Sequence, residues 1–213
     1  DGQWGPQTEA ALNQALTLLE KAKGIEPPRH PNLPAAYRWL LDLSPLPQTT
    51  VAAIGLLGTK EVAGRAHSPV IMAMAAEVGL TAAQYPGDET AWCGLAAAVI
   101  AKRANKDFTP VGNVLGSRNW LKFGEAADVP SLGDFLVFWR GSRDGWQGHI
   151  AQYIAEDDEA YHVAGGNQSN AFNIMRLAKN RLLGARRPIY RSKPPTAKPY
   201  RVAATGVMSR NEA

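Results

Sequence analysis

Residues 88–100 read DETAWCGLAAAVI, an acidic turn that leads directly into an apolar segment. The preceding YPGD (residues 85–88) predicts the turn, and Asp88 or Thr90 can cap a helix that follows it. The apolar side chains that recur on one face of this helix are Trp92, Leu95, Ala96, Val99 and Ile100. This spacing predicts a helix pressed against a core.

The second half of the chain is β in character. The run FLVFW at residues 135–139 is apolar throughout, as expected of a buried strand. Residues 150–154 and 161–164 flank an acidic turn, which predicts a hairpin. Further strands are predicted over residues 172–175 and 182–189. Helices followed by an antiparallel sheet define the α+β class.

The composition divides the 213 residues into four segments. Residues 1–24 predict a small helical unit and residues 25–48 a proline-rich linker with one short helix. Residues 49–190 form the main domain, and residues 191–213 are predicted to be a basic, disordered tail. No stretch approaches the ~20 apolar residues of a membrane span. The chain also opens without the pattern of a signal peptide.

Positive charge collects late in the chain. Lys and Arg number 23 against 19 Asp and Glu, for a net charge of +4. The late cations are Arg181, Arg186, Arg187, Arg191, Lys193, Lys198 and Arg201. Such a cluster suits a polyanion such as nucleic acid, lipopolysaccharide or another anionic cell-envelope polymer. A solvated tail is the alternative, and charge alone does not choose among them. A nucleic-acid partner is not expected, because the segment has no recognisable binding motif.

Two residues with the chemistry of a cysteine hydrolase lie at the edges of these predicted elements. Cys93, the only cysteine, lies in the first turn of the predicted helix, where unpaired N–H groups and the helix dipole favour a thiolate. His149 follows Gly148 and opens a strand, from which its ring can act as a general base on the sulfur. The alternative is a small, packed and inert cysteine.

A third group has to orient the imidazole and select its tautomer. His162 lies on the partner strand of the predicted hairpin. Asn167 lies just past that strand, after two glycines that allow the backbone to turn inward. The residues alone leave both candidates open. Neither a metal nor a cofactor is expected, because there is no second cysteine and the four histidines show no ligand spacing.

Five strings occur in order along the chain: DETAWCGLAAAVI (88–100), SRNWLKFG (117–124), SLGDFLVFWRGSRDGWQGHIAQYIAED (131–157), GGNQSN (165–170) and RLLGARRP (181–188). Together they resemble a bacterial and phage branch of the papain-like cell-wall hydrolases, akin to NlpC-type and CHAP (cysteine, histidine-dependent amidohydrolase/peptidase) domains. The resemblance covers roughly residues 49–189. It implies a papain-like α+β core, with the nucleophile on a helix N-terminus packed on an antiparallel sheet, that cleaves an amide bond of peptidoglycan.

Matched by position, the resemblance implies Cys93 as the nucleophile and His149 as the base. A CHAP-like alignment places Asn167 third, whereas an NlpC-like alignment places a histidine nearer His162. Asn167 is preferred because GGNQ is itself part of the resemblance.

The wider papain-like scheme also implies an oxyanion site. It would combine the backbone N–H of the nucleophile with one nearby donor, for which Trp92, Asp88 and Gln168 are candidates. The residues expected to contact substrate are Trp92, Gln168 and Trp146.

The N-terminal DGQWGPQTEAAL (1–12) is similar to the second half of a common peptidoglycan-binding repeat. The expectation is therefore a peptidoglycan amidase or endopeptidase, a monomeric phage or prophage lysin that acts at the bacterial cell wall. It would arrive there through phage lysis machinery or from a longer precursor. One alternative is a non-catalytic cell-wall-binding or phage structural protein of the same fold. Another is an enzyme of this fold acting elsewhere, such as a toxin-like deamidase or an acyltransferase.

Overall fold

The computed structural model of the chain describes residues 46–64, 66–204 and 207–209. The predicted N-terminal unit (1–24) and nearly all of the predicted linker (25–48) lie outside these described residues. Within them the protein is a mixed α+β structure, in which a few helices pack on a seven-stranded, mostly antiparallel sheet. The fold class predicted from the sequence is confirmed at this level.

The helices precede most of the sheet in the described part of the chain. The α-helices are α1 (Gln48–Ile54), α2 (Pro69–Glu77) and α3 (Cys93–Arg103). Short 3-10 helices cover Thr109–Val111, Ser117–Lys122 and Lys179–Arg181. None of the helices described here combines the length and apolar character needed to cross a membrane.

Helix α3 is enclosed by the rest of the domain. All nine residues from Cys93 to Ala101 are buried, although the sequence predicts a single buried face. Its many alanines keep the helix narrow, so that other segments pack around it closely. Lys102 and Arg103 occupy the last turn, where their charges complement the negative end of the helix dipole.

The strands form one sheet in the order β1-β6-β2-β3-β4-β5-β7. Their bounds are Glu125–Ala127 (β1), Phe135–Trp139 (β2), Gly148–Glu156 (β3), Ala160–Gly165 (β4), Asn173–Ala178 (β5), Leu182–Arg187 (β6) and Met208–Ser209 (β7). All neighbouring pairs are antiparallel except β5 and β7, which are parallel. The predicted hairpin of β3 and β4 is confirmed, and its turn is closed by a hydrogen bond from the Asp157 amide to the Ala160 carbonyl.

Strand β2 is buried on both faces, as its continuous apolar run predicts. Phe135, Leu136, Val137 and Phe138 are all fully buried. Alternate residues face the helices on one side of the sheet and a smaller apolar cluster on the other. Because β3 pairs with β2 in the middle of this sheet, the start of β3 is held rigidly beside the N-terminus of α3.

Residues 191–204 and 207–209, which belong to the predicted disordered tail, contact the rest of the domain. In the structure Ala197 and Tyr200 are buried, and the Tyr153 hydroxyl both donates to the Tyr200 carbonyl and accepts from the Tyr200 amide. The backbone of Glu156 exchanges hydrogen bonds with residues 200 and 202, and β7 pairs with β5. This segment has few buried apolar side chains, but backbone hydrogen bonds also attach it to the sheet.

Three arginines of the predicted basic cluster make internal contacts. Arg187 forms a two-pronged ion pair with Asp134, at 3.1 and 2.7 Å. Arg186 donates to the carbonyls of residues 123 and 124, and Arg181 donates to that of residue 139. These side chains hold β6 against its neighbours, so this part of the cluster has a structural role in addition to its charge.

Candidate functional site

Cys93 is the first residue of α3 and is buried, with only 5% of its surface exposed. Burial raises the pKa of its thiol, and hydrogen bonds from the backbone amides of Ile150 and Gly94 offset only part of that effect. The positive charge of Arg140 also lowers the pKa of this thiol. The sequence predicts a thiolate favoured by the helix N-terminus. The structure gives the opposite direction, because the enclosure of α3 removes water from the sulfur.

Asp88, a predicted N-cap residue of α3, does not cap the helix. The N-cap residue is Trp92, and it makes no side-chain capping bond. The buried carboxylate of Asp88 instead accepts hydrogen bonds from the amides of Val62 and Ser68 and from His67 Nδ1. Asp88 therefore ties the turn before Cys93 to the segment that precedes α2. Burial would raise the pKa of Asp88, but these donors lower it overall.

The structure brings the start of β3, which carries His149, against the N-terminus of α3, which carries Cys93. The amide that donates to the Cys93 sulfur belongs to Ile150, the residue directly after His149 on β3. His149 is also buried, at 1% exposure, and its Nε2 lies 3.0 Å from Oε1 of Gln168. The backbone next to His149 thus contacts the Cys93 sulfur, where α3 begins against the start of β3.

The carboxamide of Gln168 is held in one orientation. Its Nε2 donates to the backbone oxygen of Asn173 at 2.7 Å and to the Asn173 side-chain oxygen at 3.0 Å. A backbone carbonyl only accepts, so the nitrogen of the amide must face Asn173 and the oxygen must face His149. Asn173 completes the arrangement by donating from Nδ2 to the Gln168 carbonyl.

This orientation fixes the tautomer of His149. The amide oxygen of Gln168 can only accept a hydrogen bond, so Nε2 of His149 carries the proton and donates it. In a neutral ring the proton on Nε2 leaves Nδ1 as the basic nitrogen.

Neither predicted third residue contacts the His149 ring nitrogen that Gln168 binds. Asn167 lies one position earlier, in a left-handed backbone conformation with φ 57°. His162 Nε2 donates to Asp157, 2.8 Å away, and its buried Nδ1 has no hydrogen-bond partner among the described residues. Gln168, predicted only as a substrate-contacting or oxyanion residue, is the side chain that contacts this nitrogen.

His162 belongs to a separate buried ion cluster at the β3–β4 turn. Asp157 accepts from His162 and from Arg176 Nε, both at 2.8 Å. Burial would raise the pKa of Asp157, but these donors and two backbone amides hold it well below its usual range. Burial lowers the pKa of His162 despite the adjacent carboxylate. The cluster stabilises the hairpin, with no contact to Cys93 among the bonds that define it.

Two glycines before Gln168, Gly165 and Gly166, allow the loop to pack closely against His149 and Trp92. A Cβ on Gly165 would lie 2.8 Å from that of Ala151 and 3.2 Å from His149 Nε2. A Cβ on Gly166 would lie 2.6 Å from the Trp92 ring. Side chains at these two positions would push the loop away from both His149 and the start of α3.

The crevice beside Cys93 is closed in this structure. It is lined mainly by apolar side chains of α3 and the sheet, together with Gly165 and Gln152, and it has no room for a water molecule. Both amide atoms of Gln152, a buried residue of β3, lack a hydrogen-bond partner within the described part of the chain.

Of the residues predicted to contact substrate, one is exposed to solvent. Trp146 is 84% exposed on the loop that leads from β2 into His149. Arg118 braces that loop by donating to the backbone carbonyls of residues 142, 143 and 147. Trp92 and Gln168 are fully buried, which removes them from any exposed substrate surface.

The three side chains considered for the oxyanion site are occupied elsewhere. Trp92 Nε1 donates to Glu61 Oε1 at 2.7 Å. Gln168 uses both amide hydrogens at Asn173, and Asp88 is an acceptor. The donors that remain at the sulfur are backbone amides, including those of Cys93 and Gly94.

Comparisons of the chain with protein-family models, with curated proteins and with solved structures find no match. Function is therefore inferred from the geometry of the site, together with the resemblance of the strings that surround Cys93, His149 and Gln168.

Proposed function

We propose that the protein is a peptidoglycan hydrolase, an amidase or endopeptidase that cleaves an amide bond of the stem peptide through Cys93. One observation carries this proposal: the Cys93 sulfur binds the amide next to His149, whose ring Gln168 holds in the tautomer of a base. A thiol beside an imidazole that a third group orients is the arrangement of nucleophilic cysteine catalysis.

The reaction begins when the proton of the Cys93 thiol passes to Nδ1 of His149. The sulfur attacks the amide carbonyl, and backbone amides at the start of α3 stabilise the oxyanion. The intermediate collapses as the C–N bond breaks, and the leaving nitrogen takes the proton from His149. Water, deprotonated by the same imidazole, then attacks the thioester, which releases the acid and restores the thiol.

The raised pKa of Cys93 favours a thiol that is neutral at rest. Proton transfer to His149 then accompanies the attack on substrate. Gln168 stabilises the imidazolium that forms, because its oxygen accepts the Nε2–H bond in both charge states.

The arrangement of elements supports the papain-like interpretation. A nucleophile at a helix N-terminus packs on an antiparallel sheet that carries the base, as the resemblance implies. The braced loop presents Trp146 as a flat, exposed platform for the substrate on the approach to His149. The exposed cations after residue 190 would add attraction to anionic wall polymers, and salt would weaken that attraction.

The remaining expectations belong to the same proposal. The protein would be a phage or prophage lysin that acts as a monomer at the bacterial cell wall. Peptidoglycan would be its partner, and nucleic acid would not.

One observation favours a second candidate. Cys93 is buried and its thiol pKa is raised, as in a packed, unreactive cysteine. A cell-wall-binding or phage structural protein could keep this fold without turnover. It would bind the wall but release nothing from it.

Digestion of purified peptidoglycan separates the two candidates. The intact protein and the Cys93→Ala variant are incubated with the wall, and soluble fragments are identified by mass spectrometry. Fragments from the intact protein alone support the hydrolase, and their masses identify the bond. If neither protein releases fragments while both sediment with the wall, the binding module replaces the hydrolase.

A further inference from the structure

A short segment, residues 58–62, connects the two halves of the candidate site, and we refer to it as the strap. On one side it pairs with the end of the loop that carries Gln168. The hydrogen bonds run from the Gly58 amide to the Phe172 carbonyl (3.0 Å), from the Phe172 amide to the Thr59 carbonyl (2.7 Å) and from the Glu61 amide to the Asn170 carbonyl (2.9 Å).

On its other side the strap contacts the residues just before α3. The Glu61 carboxylate accepts from Trp92 Nε1 at 2.7 Å, and the Val62 amide donates to Asp88 at 2.9 Å. Trp92 directly precedes Cys93 and is fully buried. Glu61 therefore bonds to both halves of the site, through its amide to the Gln168 loop and through its carboxylate to Trp92.

The Trp92 ring lies between these parts. Its other edge faces Gly166, where a Cβ would lie only 2.6 Å from the ring, two residues before Gln168. The indole has one N–H group, and Glu61 accepts it in a short, charge-assisted bond. The position of the ring then sets how closely the start of α3 approaches the loop that orients His149.

We propose that Glu61 is a positioning residue of the site: its carboxylate holds Trp92, and through it Cys93, in register with the His149–Gln168 pair. The inference rests on the proposed function, because it assigns a role within that reaction. Glu61 is only partly buried and lies 32 positions before Cys93 in the sequence, so spacing along the chain does not reveal it.

The expected effect is on turnover more than on substrate binding. A displacement of about 1 Å at a reacting group can cost ~100-fold in rate. Loss of the carboxylate should lower kcat about tenfold or more and leave KM within about threefold, because Trp146 and its loop are untouched. The loosened indole should also expose the thiol, so that Cys93 reacts faster with iodoacetamide near neutral pH while turnover falls.

The test compares Glu61→Ala, which removes the acceptor, with Glu61→Gln, which retains an oxygen at that position. Glu125→Ala, an exposed acid on β1, is the matched control. The assays are kcat and KM on soluble stem-peptide fragments, the pH profile of Cys93 alkylation, and thermal melting. At temperatures below its melting range, Glu61→Ala should show a lower kcat and faster alkylation of Cys93. In Glu61→Gln both rates should return to within about twofold of the wild-type values.

A double-mutant cycle guards against simple misfolding. Trp92→Phe removes the donor, and it should reproduce the loss of Glu61→Ala without adding to it in the double variant. Losses that multiply, or a Glu61→Ala variant with wild-type kcat and alkylation, would overturn the proposal. If the wild-type protein has no turnover, the proposed function fails, and the alkylation profiles alone decide whether Glu61 positions the thiol.

Discussion

Replacing Gln168 by alanine removes the side-chain oxygen that accepts from Nε2 of the candidate base. The lost bond is 3.0 Å long and lies between two groups that are buried, at 0% and 1% exposure. Leaving such an N–H group buried without its acceptor costs about 1–3 kcal/mol. At ~1.4 kcal/mol for each factor of ten, kcat should fall roughly 10- to 100-fold.

The assay is the initial rate of fragment release from soluble stem peptides, measured between about pH 5 and 9 beside a thermal melt. Asn170→Gly is the matched control, because it removes an exposed side chain from the same loop at a backbone φ of 59° that glycine accepts. Gln168→Glu adds a negative charge beside His149, so it should raise the pKa of the imidazole and move the acidic limb of the rate profile to higher pH.

The reasoning would be refuted if Gln168→Ala kept the wild-type kcat. It would be refuted equally if Asn167→Gly, which removes the amide that the sequence favours, caused the loss in its place. Asn167 has a backbone φ of 57°, so glycine preserves the loop conformation in that variant as well.

Three further predictions concern the thiol, the substrate loop and acid stability. Burial raises the pKa of Cys93, so iodoacetamide should alkylate it at least about tenfold more slowly in the folded than in the urea-unfolded protein at pH 7; equal rates would contradict its enclosure. Trp146→Ala should raise KM several-fold with little change in kcat or melting temperature, because the side chain is 84% exposed; an unchanged KM would remove it from the substrate surface. The pKa values of His162, Asp157 and Asp88 are lowered in the folded protein, so their stabilisation is present at neutral pH and is lost on acidification. Melting temperature should therefore fall below about pH 6.5, as the unfolded state takes up the proton that His162 resists, and again below about pH 4; a flat profile from pH 7 to 4 would contradict this.

Local patterns predicted much of the fold. The apolar run of β2, the acidic turn between β3 and β4 and the helix that starts at Cys93 all lie where the sequence indicates. Each of these patterns consists of a few consecutive residues, so the elements can be predicted without knowledge of long-range packing. The same local reasoning placed Cys93 and His149 at element edges.

The side chain that contacts the His149 ring was not predictable in this way. After Gly165 the chain turns through left-handed conformations at Asn167, Ser169 and Asn170, so strand alternation no longer says which side chain faces His149. The choice of Gln168 depends on Asn173, a residue of the next strand that fixes the amide. A polar residue after two glycines was the available signal, but it did not distinguish Gln168 from its neighbour.

Two other differences have the same physical origin. The helix N-terminus alone predicts a lowered thiol pKa, whereas the packing of other segments around α3 buries the sulfur and reverses the direction. The segment after residue 190 was judged by its composition, whereas its order depends on backbone pairing and on one tyrosine, Tyr200, that bonds to Tyr153. Both outcomes depend on residues distant in sequence.

The central claim is that Cys93 forms a covalent bond to the acyl half of its substrate. Turnover of stem-peptide fragments is quenched with acid, and the protein is examined by intact mass and peptide mapping. The account predicts a mass increase on Cys93 equal to the acyl fragment, labile to hydroxylamine and absent in Cys93→Ala, which also releases no product. Product release that continues in Cys93→Ala, with no adduct on the wild-type thiol, would contradict it.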